Sequence, residues 1–414
     1  MRQLPEASVH AVVTDPPYGI NFMGKAWDAP GGMLGQMATG DEQRGAYAYG
    51  GSPSRGYADN DNAAFGAWCE TWLTECLRVL KPGGHLLAFG GTRTWHRLAV
   101  AVEDAGFEIR DSMAWLYGSG FPKSLDVSKA IDRAAGALAH ESKRFIVAGQ
   151  TGKLINPPTK GYVPPAPATD AAKQWQGWGT ALKPAFEPIV VARKPLEGTV
   201  AANVLEHGTG ALNVDGCRIG SDEDTRRNAR GGDNGLGGTG TFQIRERRAE
   251  DMPETSGRWP ANVILDEHTA AIVDEQSGAS QSPTGAVRQG GVSGYRPGDP
   301  GAIPRTGEGI GYGDEGGASR FFYTAKANQQ ERPTANGVAH PTVKPLDLMR
   351  WLVRLVTPPG GIVLEPFAGS GTTVEACIKE DVRCIAIERE ADYLPLIDER
   401  INRNNLSLFA GGEA

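Results

Sequence analysis

Four residues that could do chemistry, Asp15-Pro16-Pro17-Tyr18, follow directly on the apolar run Val9-His10-Ala11-Val12-Val13. An acid, two prolines and an aromatic ring at the C-terminal end of a strand make a rigid ledge with a polar tip and a flat face. Proline has a fixed φ and no N–H, so the Pro16 carbonyl is set in place before any ligand arrives. Asp15 and that carbonyl can accept the two hydrogens of an exocyclic amine on a planar base, which concentrates the nitrogen lone pair for attack. Tyr18 can stack on the same base once it has left a duplex. Alone, the stretch reads equally well as a turn, since Asp and Pro are common turn formers.

A second pattern shifts that balance. Ile362-Val363-Leu364 leads into Glu365-Pro366-Phe367-Ala368-Gly369-Ser370-Gly371-Thr372-Thr373 and then a helix. A strand, a glycine turn and a helix N-terminus form a nucleotide-binding corner, because glycines let the backbone approach a ligand closely. Phe367 can offer its π-face to a cationic sulfonium. Glu388, at the end of the next predicted strand, is placed for ribose hydroxyls. An adenosine ligand carrying a positive charge suits this corner better than a dinucleotide.

The elements that must hold these residues can be read from periodicity. Residues 9–14 predict a buried strand. Phe65, Trp68, Cys69, Trp72, Cys76, Leu77 and Leu80 fall near one helical face over 63–80, so both tryptophans read as core rather than as a stacking platform. Lys81-Pro82-Gly83-Gly84 should stop that helix. A strand at 85–90, a helix at 92–105 and a strand at 107–116 complete an alternation that indicates a doubly wound α/β sheet. After 340 the pattern returns with a helix at 346–356, strands at 362–367 and 383–388, and helices at 372–379 and 391–403. Between them, 119–335 carries a short helix near 127–135, a strand at 187–192, Pro-rich segments at 156–167 and Gly-rich stretches. Its composition reads as too irregular to extend the sheet. The expected division is 1–118, 119–335 and 336–414, with the middle part a separate recognition region. The Gly-rich stretch 21–62, bearing Phe22, Lys25 and Trp27, is long enough to be a functional loop beside the ledge.

Composition bounds these readings. The chain has 414 residues, 40% of them apolar and 22% charged, as in ordinary soluble proteins. Its 56 glycines favour long irregular loops. No apolar run approaches the ~18 residues of a membrane span. The five cysteines show no Cys-x-x-Cys pairing, so they read as reduced core residues, and no metal site is expected. A net charge of −7 weighs against nucleic acid as a partner. Arginines at 226, 227, 230, 245, 247 and 248 offer a local basic patch, diluted by the acids beside them.

Taken together, the two motifs resemble the amino-methylating DNA methyltransferases, which use S-adenosylmethionine to modify N6 of adenine or N4 of cytosine. Asp15-Pro16-Pro17-Tyr18 is similar to their catalytic motif, and Glu365 to Gly371 to their cofactor motif. His340-Pro341-Thr342-Val343-Lys344-Pro345 resembles the segment that lines the methionine end of the pocket. With the catalytic motif first, the chain resembles the circularly permuted β-type group, in which a target-recognition region is inserted between the halves. Lys183-Pro184-Ala185-Phe186-Glu187-Pro188, Gly120-Phe121-Pro122-Lys123 and Phe22-Met23-Gly24-Lys25 are similar to phage-type members. The resemblance implies a Rossmann-like, mostly parallel sheet, with catalytic residues Asp15, Pro16, Pro17 and Tyr18. It implies S-adenosyl-L-methionine as cofactor, held by Glu365, Pro366, Phe367, Gly369, Ser370, Gly371, Thr372, Glu388, His340, Thr342 and Lys344. Members often have Asp where Glu365 stands, and they open with a further stretch bearing a Gly-Asp that edges the adenine pocket. Only eight residues precede the first strand here, which implies either a start upstream or a more open pocket.

Asp at the head of the catalytic motif favours N6 of adenine, since N4-cytosine enzymes more often resemble Ser-Pro-Pro there. N4-cytosine transfer and a silent DNA-binding or decoy module are the competing readings. The expected partner is double-stranded DNA, with no membrane contact, a homodimer among the allowed assemblies and no nuclease motif fused to the chain. The expected setting is the cytoplasm of a bacterium, with a bacterial or phage gene as its source.

Overall fold

The structure is a computed structural model. It describes residues 1–20, 28, 59–120, 124–137, 166–220, 257–281, 314–326, 331–335 and 337–409. Eight strands make one sheet: β1 (Val9–Thr14), β2 (Leu80–Phe89), β3 (Glu108–Leu116), β4 (Phe186–Arg193), β5 (Val263–Asp266), β6 (Tyr323–Ala325), β7 (Ile362–Glu365) and β8 (Arg383–Ala386). Their order is β8-β7-β1-β2-β4-β3-β5-β6. Every pairing is parallel except those of β4, which runs antiparallel between β2 and β3. The expected α/β, doubly wound, mostly parallel sheet is therefore present.

Both sheet faces are covered. Helix α1 (Asp59–Val79) and helix α2 (Trp95–Asp104) bury Phe65, Cys69, Trp72, Leu73 and Leu98 against Val12, Leu86 and Ala88. On the other face Leu348, Met349, Trp351 and Leu352, of a helix at Leu346–Val356, close over Ala11, Val13, Leu87 and Phe89. The alternate direction of successive strand side chains sends each run to both layers. Residues 81–84 do not separate the helix from the strand as expected. β2 already begins at Leu80, and the register slips between Val9↔Leu80 and Ala11↔His85. Lys81-Pro82-Gly83-Gly84 thus forms a bulge inside the strand, with Gly83 at φ +74.

The middle stretch departs most from expectation. Residues 119–335 extend the sheet after all, since β4, β5 and β6 all come from it. Short β-branched and apolar runs, Ile189-Val190-Val191 and Val263-Ile264-Leu265, suffice for membership despite the irregular chain around them. Among the described residues the same stretch adds three helices before β5: α3 (Val127–Ala134), α4 (Asp170–Gln174) and α5 (Val200–His207). Helix α6 (Glu267–Ser277) follows β5; then come α7 (Leu346–Val356), α8 (Thr372–Lys379) and α9 (Leu394–Phe409). The arginine cluster at 226–248, the Pro-rich segment up to 165 and Phe22, Lys25 and Trp27 lie outside the described residues. All five cysteines are unpaired, four of them buried. Among the described residues no helix is long and apolar enough to cross a membrane.

Candidate active site

β1 and β7 are neighbours, paired Ala11↔Val363 and Val12↔Leu364. That register brings the ledge after β1 and the glycine turn after β7 to the same sheet edge, although they lie far apart in sequence. Between them opens a cavity of about 1320 Å³. Of the site residues read from the sequence, all but Gly371 line it. Gly371 sits behind the turn, where a Cβ would stand 3.2 Å from the Ile397 Cα, and its φ of +80 favours glycine. Gly369, at φ +54, lets His340 approach to 3.2 Å of where its Cβ would be.

The turn is held by Glu388. Its Oε2 accepts from Gly369 N at 2.6 Å and its Oε1 from Glu390 N at 2.8 Å. A carboxylate has lone pairs to spare beyond these two, so a hydroxyl can still be accepted at the rim. Phe367 packs edge-on to Trp72, with centroids 5.2 Å apart, and tilted to Trp68 at 5.6 Å. Trp72 is core, as the helical spacing predicts. Trp68 is not wholly so: it is half-buried and forms part of the cavity wall. The His340 ring meets Tyr393 edge to face at 4.6 Å. Burial holds its pKa below the usual value, so the ring is neutral near pH 7.

Glu365, only 1% exposed, fastens the floor. Thr14 Oγ1 and Phe367 N donate to its Oε1 at 2.5 and 3.0 Å, and Thr373 Oγ1 donates to its Oε2 at 2.7 Å. It thereby ties β1, β7 and α8 together. Burial pushes its pKa up to about 8, and the bonds from Thr14, Thr373 and Phe367 hold it back from rising further. Either threonine hydroxyl can rotate to accept the proton of the neutral acid. The unfolded chain loses this proton near 4.5, whereas the folded chain keeps it to about 8. The stabilisation is therefore fully present below the unfolded value and is lost as pH rises through the folded one. Relative to Glu365→Gln, the wild type should lose on the order of 5 kcal/mol of stability across that window. Urea unfolding of both proteins at several pH values measures it; a constant difference would contradict this.

At the other wall the charges converge. Lys344 Nζ lies 2.6 Å from Asp15 Oδ2 and 3.0 Å from Glu187 Oε2. Tyr18 Oη lies 2.9 Å from Asp15 Oδ1 and 2.8 Å from Glu187 Oε2. Burial pulls the Lys344 ammonium down, but Asp15 and Glu187 outweigh it and hold its pKa above the ordinary value. Burial, with the same two carboxylates, pushes the Tyr18 phenol well up, so it stays a donor. Glu187 is the residue that sequence reasoning missed. Its signal was an acid opening an otherwise apolar strand, and no local pattern says that this strand runs past Tyr18. Among the described residues the one cluster with metal-ligand spacing, Glu197, Glu206 and His207, is largely exposed and lies outside the cavity lining.

A doubly wound sheet with a glycine turn opening a cavity at its carboxyl edge defines a class of proteins that bind nucleotide-like ligands there. The match to a family model over residues 9–399 is more specific: this chain belongs to the DNA methylase family whose members act at N6 or N4 amino groups. It is 27% identical over 223 residues to the type II methyltransferase M.HindIII of Haemophilus influenzae, across 51% of this chain and 61% of the relative. It is 26% identical over 115 residues to M.HinfI of Haemophilus influenzae, across 28% of each. The chain thus spans less than two thirds of these relatives' lengths. Among solved structures it is similar to PvuII DNA methyltransferase (cytosine-N4-specific), with 11% identity, 96% of this chain and 81% of that one covered, and a TM-score of 0.42.

The family's methyl donor, S-adenosylmethionine, is this chain's cofactor. The residues present fit it. The left-handed glycine turn permits close backbone approach, an aromatic face lies beside it, and a carboxylate edges the same cavity.

Proposed function

We propose that this protein transfers a methyl group from S-adenosylmethionine to N6 of adenine in double-stranded DNA. One observation carries the reading: the Asp15 carboxylate and the Tyr18 ring share a single cavity with the glycine turn. When bound, S-adenosylmethionine supplies an electrophilic methyl group on a sulfonium. Phe367, the 369–371 turn, Glu388 and the 340–344 segment would hold it, with the Phe367 ring available to a cation. Asp15 and the Pro16 carbonyl hold the target amine, and Tyr18 stacks on the flipped base. Proximity and orientation carry the reaction, and Asp15 receives the proton that the amine gives up.

Adenine is favoured because an acid heads the catalytic motif. Residues 119–335 act as the target-recognition region, with β4, β5 and β6 anchored in the sheet. The enzyme works in the cytoplasm as a solitary modification enzyme. The deciding experiment incubates the protein with labelled S-adenosylmethionine and unmethylated duplex DNA, then identifies the nucleosides by mass spectrometry. N6-methyladenine is expected. N4-methylcytosine would keep the mechanism and overturn the base, while absence of any methylated nucleoside would overturn the activity.

A further inference from the structure

Asp15 already takes a donor on each of its two oxygens before any base arrives. Its Oδ1 takes the Tyr18 hydroxyl at 2.9 Å and its Oδ2 takes the Lys344 ammonium at 2.6 Å. An ammonium in contact with a carboxylate draws off the charge that an incoming amine needs, so this arrangement opposes the role assigned to Asp15. Both occupying donors already touch a second carboxylate. Glu187 Oε2 lies 2.8 Å from Tyr18 Oη and 3.0 Å from Lys344 Nζ. A phenol has one proton and two acceptors to choose from here, at nearly equal distances. Handing both donors over requires only small displacements.

We propose that Glu187 is a positioning residue for methyl transfer: it draws the Lys344 ammonium and the Tyr18 hydroxyl off Asp15 when the target amine arrives, leaving Asp15 to accept the amine's hydrogen. The inference rests on Asp15 as the group that holds the amine. The geometry suits the task. Glu187 stands on β4, in register with Trp115 of β3, so its carboxylate is presented by a sheet rather than a loop. Lys344 has 9% of its side chain exposed, and the Phe89 ring lies 4.8 Å from its ammonium. Water cannot readily replace a departing carboxylate there. A second carboxylate within reach is therefore what allows the first to be released without stranding a buried charge.

The test is a double-mutant cycle with a binding readout. Glu187→Gln keeps the shape but removes the charge that competes for Lys344. It is expected to lower kcat for DNA methylation on the order of 10- to 100-fold. The affinity for S-adenosylmethionine alone, measured by titration calorimetry without DNA, should stay within about twofold. In a Lys344→Met background there is no ammonium to move, so adding Glu187→Gln should cost less than about threefold. Equal losses in both backgrounds, or a Glu187→Gln kcat within twofold of wild type, would overturn the proposal. Should Glu187→Gln fail to melt cooperatively, Glu187→Asp, which withdraws the carboxylate by one methylene, takes its place in the same cycle. A wild type that methylates no DNA would instead overturn the activity itself, so the two failures are distinct.

Discussion

Asp15→Ala is expected to lower the rate of methyl transfer to DNA by ~10³-fold or more, the usual scale for removing a group that positions the reacting atom and handles its proton. The result is interpretable because the substitution strands no charge. Lys344 keeps Glu187 at 3.0 Å, and Tyr18 keeps the same carboxylate at 2.8 Å, so the buried ammonium and phenol both retain a partner. The fold should survive, and S-adenosylmethionine should still bind, because Asp15 makes none of the contacts that hold the glycine turn. Single-turnover transfer of labelled methyl, beside calorimetric titration of the cofactor, separates the two effects. A variant that retains a tenth of wild-type kcat would remove Asp15 from the chemistry.

The second large effect falls on stability. Arg400 is fully buried. Its Nη1 meets Glu375 Oε2 at 2.5 Å, its Nε donates to Ser370 O at 2.7 Å and its Nη2 donates to Glu331 O at 2.6 Å. Glu331 in turn accepts from Leu346 N at 2.9 Å, at the start of α7. One guanidinium therefore joins the glycine turn, α8, α9 and the segment leading to α7. Burial would raise the Glu375 pKa, but Arg403 and Arg400 outweigh it and hold it below the usual range. Arg400→Met leaves a carboxylate only 3% exposed with Arg403 as its remaining ion-pair partner. Breaking one side of a buried pair costs about 3–5 kcal/mol. Lys173→Ala, which removes an exposed pair with Asp170, should cost less than about 0.5 kcal/mol. Urea midpoints of the two variants test the contrast. The released Ser370 carbonyl should also weaken cofactor binding, which the same calorimetry reads.

Both predictions turn on partners that sequence reading could not supply. Leu394, Ile397 and Ile401 share a helical spacing near the C-terminus, yet Leu394 is exposed and Leu396 and Arg400 are the buried positions. Periodicity names a face, and a buried arginine on that face looks like solvent-side charge until its acceptors are placed.

What the sequence determined by itself was local. Apolar runs ended by proline and glycine specify β1, β7 and the helices beside them, because strand and helix periods and turn chemistry act over a few residues. The ledge and the glycine turn belong to the same class, since each needs only its own residues to take its shape. The tertiary structure decided everything that depends on who lies beside whom. It inserted β4 antiparallel between β2 and β3, drew β5 and β6 out of an irregular stretch and turned Trp68 toward the cavity. It also set Lys344 against Asp15 from 329 residues away and Glu187 against Tyr18 from 169 away. Contacts across such distances are selected by the packing of whole layers and by the need to pair every buried charge, and neither constraint is written in any one segment of the chain.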